Sequence, residues 1–95
     1  MVTIKEYRFD TCREFVIDLP KDAEILSVRT DYNETSLFAL VDMENETVYR
    51  TFVAYGIGSE VTPLELEDQR KFIGSYLDEN IGCLVFLFEI VGREN

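Results

Sequence analysis

The residues of this chain that could do chemistry are its carboxylates, since 19 of the 95 residues are Asp or Glu and none is His. Without histidine the chain lacks the usual acid–base side chain for neutral pH. Paired carboxylates could hydrolyse a glycosidic bond. Acids do recur at every fourth residue, but turns are expected to separate them: Glu6, Asp10, Glu14, Asp18 and Asp22. We therefore expect a solvated acidic surface and no enzymatic activity.

Cysteine and metal chemistry have equally little support. The two cysteines, Cys12 and Cys83, lie far apart in no CxxC pattern, and neither has an evident activating base. The acidic groups at 65–68 and 78–80 could touch calcium, but neither has EF-hand spacing. We expect no metal and no cofactor.

The net charge of −10 limits the classes of partner. Such a charge repels nucleic acid and anionic membranes and attracts basic proteins, although it also serves solubility alone. The longest apolar stretch, residues 83–88, is too short to span a bilayer, and residues 1–6 do not resemble a signal peptide. We expect a cytoplasmic protein that binds neither nucleic acid directly nor membranes.

The elements that must position these groups are strands, because apolar residues recur with a period close to 2. We predict strands over Phe15–Leu19, Glu24–Thr30, Ser36–Met43, Thr47–Tyr55, Lys71–Leu77 and Cys83–Val91. Both faces of residues 36–43 are apolar, which predicts a central strand. Residues 59–70 are a candidate helix or long loop, and Pro63 with the acids that follow it would suit one short helix near 63–70.

The whole chain, residues 1–95, is predicted to form a single all-β domain. Six to seven short strands with hairpin-length links indicate a mostly antiparallel sandwich or a small barrel. The last strand is almost continuously apolar, so it should lie deep in the core or in a subunit interface. Because both strand faces carry apolar side chains, we expect a homo-oligomer.

Two segments carry a resemblance to a known family. Residues 18–28 read Asp-Leu-Pro-Lys-Asp-Ala-Glu-Ile-Leu-Ser-Val, and residues 37–42 read Leu-Phe-Ala-Leu-Val-Asp. This order resembles a family of small phage-encoded proteins of unknown function, in which "lP-x-ga-x-iLsv" precedes "lWalVD", "f-x-GTG", "yigT" and "vwHvFe". The later motifs correspond here to residues 52–59, 72–76 and 84–89.

This chain departs from the family's pattern at three polar positions. The loop threonine is Ile57, the threonine of "yigT" is Ser75, and the histidine of the last strand is Leu87. If those polar groups serve a site in the family, this chain has lost part of it. The resemblance implies phage or prophage origin and a β-rich fold, and it implies no particular activity.

The first functional hypothesis is a phage counter-defence inhibitor that covers a basic face of a bacterial immune or nucleic-acid-handling enzyme. Electrostatic complementarity would also speed such an association. Loops on a rigid scaffold commonly carry function, so we expect the partner-binding carboxylates in one loop and the adjoining turns. These are Glu60, Glu65, Glu67, Asp68, Asp78 and Glu79.

The second hypothesis is an oligomer that sequesters a nucleotide second messenger of bacterial immunity. The Gly56–Ser59 loop could present backbone amides to a phosphate, although a tight turn explains its glycines as well. The ligand residues would be Arg29, Tyr49, Arg50, Tyr55, Gly56, Gly58, Ser59 and Ser75. The net negative charge argues against this hypothesis. A third hypothesis is a virion or assembly component that forms large homomeric assemblies.

Overall fold

The computed structural model describes residues 1–10, 13–32 and 34–92, and the part of the chain so described folds into seven strands and no helix. The strands are β1 (Val2–Phe9), β2 (Glu14–Pro20), β3 (Glu24–Asp31), β4 (Glu34–Asp42), β5 (Thr47–Gly56), β6 (Gln69–Asp78) and β7 (Cys83–Val91). The all-β prediction is confirmed.

The strands form two open antiparallel sheets that face each other as a sandwich. The first sheet has three strands in the order β1-β4-β3, and the second has four in the order β2-β5-β7-β6. β4 is the central strand of its sheet, as the apolar residues on both of its faces predicted. The alternative of a closed barrel is excluded for the described strands.

The core lies between the sheets and uses the inward positions of each strand. Leu19 and Phe52 from one sheet and Leu37 from the other have no exposed surface. At one side of the sandwich the rings of Phe9 and Phe15 stack with centroids 4.6 Å apart, so β1 and β2 are joined by an aromatic contact. The outer face of the four-stranded sheet carries a second, smaller apolar cluster of Val53, Tyr55 and Ile90.

All six predicted strands are present, with ends displaced by a few residues, and the last has the predicted bounds. The additional strand, β1, pairs with β4 from Val2↔Asp42 to Phe9↔Thr35. The sequence pattern does not predict this strand, because neither of its faces is uniformly apolar. Ile4 and Glu6 face outward, while Lys5 and Tyr7 pair with the inward-facing positions of β4.

Of the two alternatives for residues 59–70, the short helix near 63–70 is wrong and the long loop is confirmed. Residues 57–68 form an irregular connection, and β6 already begins at Gln69. β5 and β6 run parallel on either side of β7, so this connection must return along the length of the sheet. An extended chain advances about 3.3 Å per residue, whereas a helix advances only about 1.5 Å. The distance to be covered therefore disfavours a helix, and residues 65–68 form only a turn, in which the amide of Asp68 donates to the carbonyl of Glu65.

Candidate functional site

The connection from β5 to β6, residues 57–68, is here called the crossover loop. It crosses the outer face of the four-stranded sheet, where Leu64 packs against the buried side chains of Val53, Tyr55 and Ile90. This second apolar cluster lies on the opposite side of the sheet from the main core. The loop is consequently held on the sheet by its own hydrophobic contact.

Two arginines fasten the crossover loop to the sheet from different strands. Arg13, which precedes β2, donates to the carbonyl of Glu60 and lies 3.4 Å from the hydroxyl of Thr62, and Arg70 of β6 donates to the carbonyl of Thr62. Their guanidinium groups also lie 5.4 and 6.0 Å from the ring centroid of Tyr55, within cation–π range. Both cations are thus directed to backbone carbonyls and an aromatic ring.

Three carboxylates of the crossover loop point to solvent. Glu60, Glu65 and Glu67 are exposed, and within the described residues their side chains accept no hydrogen bond and form no ion pair. Leu66 lies between two of them and is 100 % exposed. Asp68, at the end of the loop, is half-buried. The loop therefore presents three exposed glutamates, two of which flank one fully exposed apolar side chain in the chain.

The other two predicted partner-binding acids belong to the β6–β7 hairpin, and their environments differ. Glu79 is exposed. Asp78 is 8 % exposed, and its carboxylate accepts the amide of Asn80 at 3.0 Å. Its carbonyl accepts the amide of Gly82 at 2.8 Å. Asp78 therefore stabilises the hairpin turn, and only Glu79 offers a surface carboxylate there.

The residues of the nucleotide hypothesis are not brought together. Arg29 lies on the outer face of the three-stranded sheet, whereas Tyr49 and Ser75 lie on the outer face of the four-stranded sheet. Arg50 points between the sheets and pairs with Glu89. Tyr55 is 4 % exposed beneath the two arginines. No common surface collects these cations and aromatic rings.

The Gly56–Ser59 segment is a tight turn. The amide of Ser59 donates to the carbonyl of Gly56 at 3.1 Å, and Gly58 has a φ of 84°, which favours glycine. The amide of Ile57 donates to the carbonyl of Leu84 at 3.1 Å. Two of the amides that could have cradled a phosphate are thus already bonded.

The three departures from the family's pattern also lie apart. Ile57 is exposed at the start of the crossover loop, and Ser75 is exposed on the outer face of β6. Leu87 has no exposed surface, and it faces the core between the sheets. The structure therefore does not gather these three positions into one site.

The sequence pattern did not reveal the arginines that fix the crossover loop or the packing of Leu64 on the sheet. Arg13 and Arg70 act across long sequence separations, which a reading of local pattern does not reveal. Residues 65–68 form a turn, in which the amide of Asp68 donates to the carbonyl of Glu65 at 3.1 Å, so Leu64 packs on the sheet while Leu66 is fully exposed. The same acids had been assigned to the first turns of a helix.

The part of the chain that the structure describes contains neither a metal-binding cluster nor a membrane-spanning helix. There, no group of three or more Cys, Asp or Glu side chains is placed to hold a metal ion. The same residues include no helix of the length and apolarity that crossing a membrane requires. Neither result bears on the crossover loop as a surface for binding protein.

Comparisons with known proteins identify the family of this chain and no characterised relative. No curated protein and no solved structure matches it. One family model, described as "Domain of unknown function (DUF7352)", matches residues 1–94. Because the match spans nearly the whole chain, this protein belongs to the DUF7352 family.

Proposed function

We propose that this protein is a phage-encoded, non-catalytic inhibitor that covers a basic face of a bacterial immune or nucleic-acid-handling enzyme in the host cytoplasm. The observation that carries the proposal is the crossover loop, which holds Glu60, Glu65 and Glu67 in solvent on a fixed support. Phage origin is supported by the resemblance of residues 18–28 and 37–42 to a phage-encoded family.

The electrostatic part of the proposal follows from how the loop is held. Arg13 and Arg70 fasten it through the carbonyls of Glu60 and Thr62, so the carboxylates of Glu60, Glu65 and Glu67 remain available to a partner. The exposed glutamates add to a net charge of −10. A surface with this charge accelerates encounter with a basic partner and repels nucleic acid that competes for the same face.

Leu66 supplies the apolar part of the surface. Productive protein interfaces usually combine a desolvated apolar centre with a polar rim, and a few central side chains dominate the affinity. Leu66 is fully exposed, and it is flanked in the chain by Glu65 and Glu67. A complementary partner would offer an apolar depression bordered by Lys or Arg side chains.

The test begins with capture of the tagged protein's partner from a bacterial lysate at low salt, followed by binding measurements with that purified partner. The variant Glu60→Gln/Glu65→Gln/Glu67→Gln should weaken binding at least about tenfold, since each exposed charge pair adds a fraction of a kcal/mol and three act together. It should also abolish inhibition of the captured enzyme and flatten the dependence of the affinity on salt.

The matched control is Asp22→Asn/Glu24→Gln/Asp31→Asn, which changes the net charge equally at exposed positions flanking or within β3. We expect this control to keep most of the affinity. Equal losses in both variants would show that only overall charge matters, and they would overturn the assignment of the loop. Absence of any stoichiometric basic partner would overturn the inhibitor proposal itself.

Leu66→Ser tests the apolar contribution separately. Because Leu66 touches solvent alone, its replacement should leave the unfolding free energy unchanged within about 0.5 kcal/mol. Loss of binding without loss of stability is the expected result. An unchanged affinity would remove Leu66 from the proposed surface while leaving the role of the glutamates standing.

A further inference from the structure

β1 forms one edge of the three-stranded sheet, and no described strand pairs with its outer side. Its register with β4 is regular over all eight residues, from Val2↔Asp42 to Phe9↔Thr35, and it contains neither proline nor glycine. A long regular edge presents a row of unpaired backbone N–H and C=O groups to which another strand can bond. This row is called the β1 edge.

The backbone groups that are free at the β1 edge follow from one hydrogen bond. The carbonyl of Met1 accepts the amide of Met43 at 3.0 Å, so the backbone of Met1 points toward β4. Alternate residues of an antiparallel strand point their N–H and C=O groups to the same side. The even-numbered residues of β1 therefore point these groups away from β4: Val2, Ile4, Glu6 and Arg8.

The other three edge strands are less suited to pairing with a second copy. β3 and β6 each have a shift in register, between Ile25 and Ser27 and between Phe72 and Gly74, and such bulges interrupt an edge. β2 ends on Pro20, and both of its charged side chains are acidic, so two copies of it would repel each other. β1 differs in carrying two cations and one carboxylate: Lys5, Arg8 and Glu6.

Glu6 and Arg8 are held in place on the outer face of the sheet and remain accessible. Glu6 Oε2 accepts the hydroxyl of Ser36 at 2.7 Å, and Arg8 Nη1 lies 3.4 Å from Glu34 Oε2. The side chains of Glu6 and Arg8 are nevertheless 46 % and 67 % exposed. Side chains that are already positioned lose less conformational freedom when they bind.

The sequence of β1 is complementary to itself in one antiparallel register. A twofold axis pairs the strand with its copy about one central residue. Centring on a charged residue sets two like charges opposite each other, and centring on Ile4 leaves every charge opposite an uncharged residue. Centring on Tyr7 sets Glu6 opposite Arg8 of the second copy on both sides of the axis. Facing charges of opposite sign stabilise a strand pair, and like charges destabilise it, so the Tyr7 register is favoured.

The inward side of β1 is also available in this register. Lys5 pairs with the fully buried Ala39 and so faces the second sheet, yet it is exposed, and Tyr7 is only half-buried. The second sheet therefore does not cover the whole of β1. An inward lysine can protect an edge, but the Lys5 ammonium lies 5.3 Å from the ring centroid of Tyr7 and would face Phe9 of the second copy.

We propose that two copies of this chain join through their β1 edges, antiparallel and centred on Tyr7, so that the two three-stranded sheets form one six-stranded sheet. Glu6 and Arg8 of opposite copies would exchange backbone hydrogen bonds and pair their side chains, twice by symmetry. Strand addition takes its affinity from main-chain hydrogen bonds, so it needs no large apolar patch. The proposal does not rest on the inhibitor function, since the crossover loop lies on the other sheet.

Charge reversal tests the proposal, with the dimer dissociation constant measured by sedimentation equilibrium of the full chain. Glu6→Arg sets arginine opposite arginine, and Arg8→Glu sets glutamate opposite glutamate. Each should raise the dissociation constant at least about tenfold, because two symmetry-related attractions become repulsions. The double variant Glu6→Arg/Arg8→Glu restores opposite charges and should recover most of the affinity.

An equimolar mixture of the two single variants makes the test sharper. In the Tyr7 register each single variant is complementary only to the other, so the mixture should form a heterodimer although neither variant dimerises well alone. Arg29→Glu is the matched control, because Arg29 pairs with Ser36 from β3 as Arg8 does from β1. It changes the net charge as Arg8→Glu does and should leave the dissociation constant unchanged. Thermal unfolding verifies that each variant is folded.

Amide exchange of the unaltered chain keeps the proposal testable should the variants fail to fold. The amides of Glu6 and Arg8 should exchange more slowly as the protein concentration rises, whereas exchange at the free edge of β3 should not change. A monomer at every concentration would overturn the proposal, and so would a dimer that neither charge reversal weakens. Equal weakening by Arg29→Glu would indicate an effect of overall charge and would also overturn it.

Discussion

Arg50 and Glu89 form a bidentate ion pair inside the sandwich. The Arg50 Nε lies 2.6 Å from Glu89 Oε2, and its Nη2 lies 2.8 Å from Oε1. The two side chains are only 18 % and 9 % exposed. Arg50 Nη1 also donates to the carbonyl of Ala23 at 2.5 Å. The pair thus links β5, β7 and the turn before β3.

Removing one partner of this pair should be strongly destabilising. Glu89→Ala leaves the Arg50 charge buried without its carboxylate, and we expect a loss of about 3–5 kcal/mol in unfolding free energy. The double variant Arg50→Leu/Glu89→Leu should recover much of that loss, because it leaves no buried charge. Urea unfolding of both variants measures the difference. A single variant within about 1 kcal/mol of the parent would contradict this prediction.

Loss of the two arginines that hold the crossover loop should increase the mobility of that loop alone. Arg13→Ala/Arg70→Ala removes the donors to the carbonyls of Glu60 and Thr62, so amide exchange and protease cleavage within residues 57–68 should accelerate. The global stability should fall by only about 1–2 kcal/mol. Hydrogen exchange followed by mass spectrometry gives both quantities.

Arg8→Ala is the matched control, since Arg8 is an exposed arginine on the other sheet, 3.4 Å from Glu34. It should leave exchange in residues 57–68 unaltered. If the double variant exchanged no faster there than this control, the loop would be held by Leu64 alone.

The close approach of the sheets at Gly74 predicts a steric coupling. A Cβ on Gly74 would lie 2.8 Å from Cγ1 of Val28, closer than carbon atoms pack. We expect Gly74→Ala to cost about 1–3 kcal/mol by overpacking. Val28→Ala should relieve that clash, so the double variant should be more stable than the sum of the single losses predicts. Strict additivity in a double-mutant cycle would refute the coupling.

The β4–β5 turn predicts a small acid-dependent contribution to stability. The amide of Glu44 donates to Asp42 Oδ1 at 3.1 Å and, with the amino group of Met1 at 3.3 Å, lowers the pKa of the Asp42 carboxyl from its ordinary value of 3.8. Because the pKa is lower in the folded state, the carboxylate stabilises the fold above its unfolded pKa. This contribution is lost as the pH falls through the folded pKa.

Carboxyl NMR titration should therefore place the Asp42 transition below 3.8. Asp42→Ala should reduce the stability difference between neutral and acid pH. A transition at or above the ordinary value would show that the hydrogen bond from Glu44 does not persist in solution.

Much of the fold was predictable because strand alternation is a local property. Residues 83–91 have the predicted bounds, and the turn at Lys21 and Asp22 follows Pro20 as expected. β1 was not predicted because both of its faces mix polar and apolar residues. Its position in the sheet is set by its pairing with β4. No helix forms near 63–70, although Pro63 and the following acids suit a helix start, because the connection must return along the sheet to the start of β6 and keeps only a turn at 65–68.

The sequence by itself determined the fold class, the central position of β4 and the acidic character of the protein, since these depend on composition and on alternation along each strand. Only the tertiary structure decided which candidate residues remain at the surface. Asp78 accepts a hydrogen bond in a turn and Arg50 forms a buried ion pair with Glu89. The side chains of Glu60, Glu65 and Glu67 remain exposed to solvent. Those outcomes depend on contacts between residues distant in the chain, which local pattern does not encode.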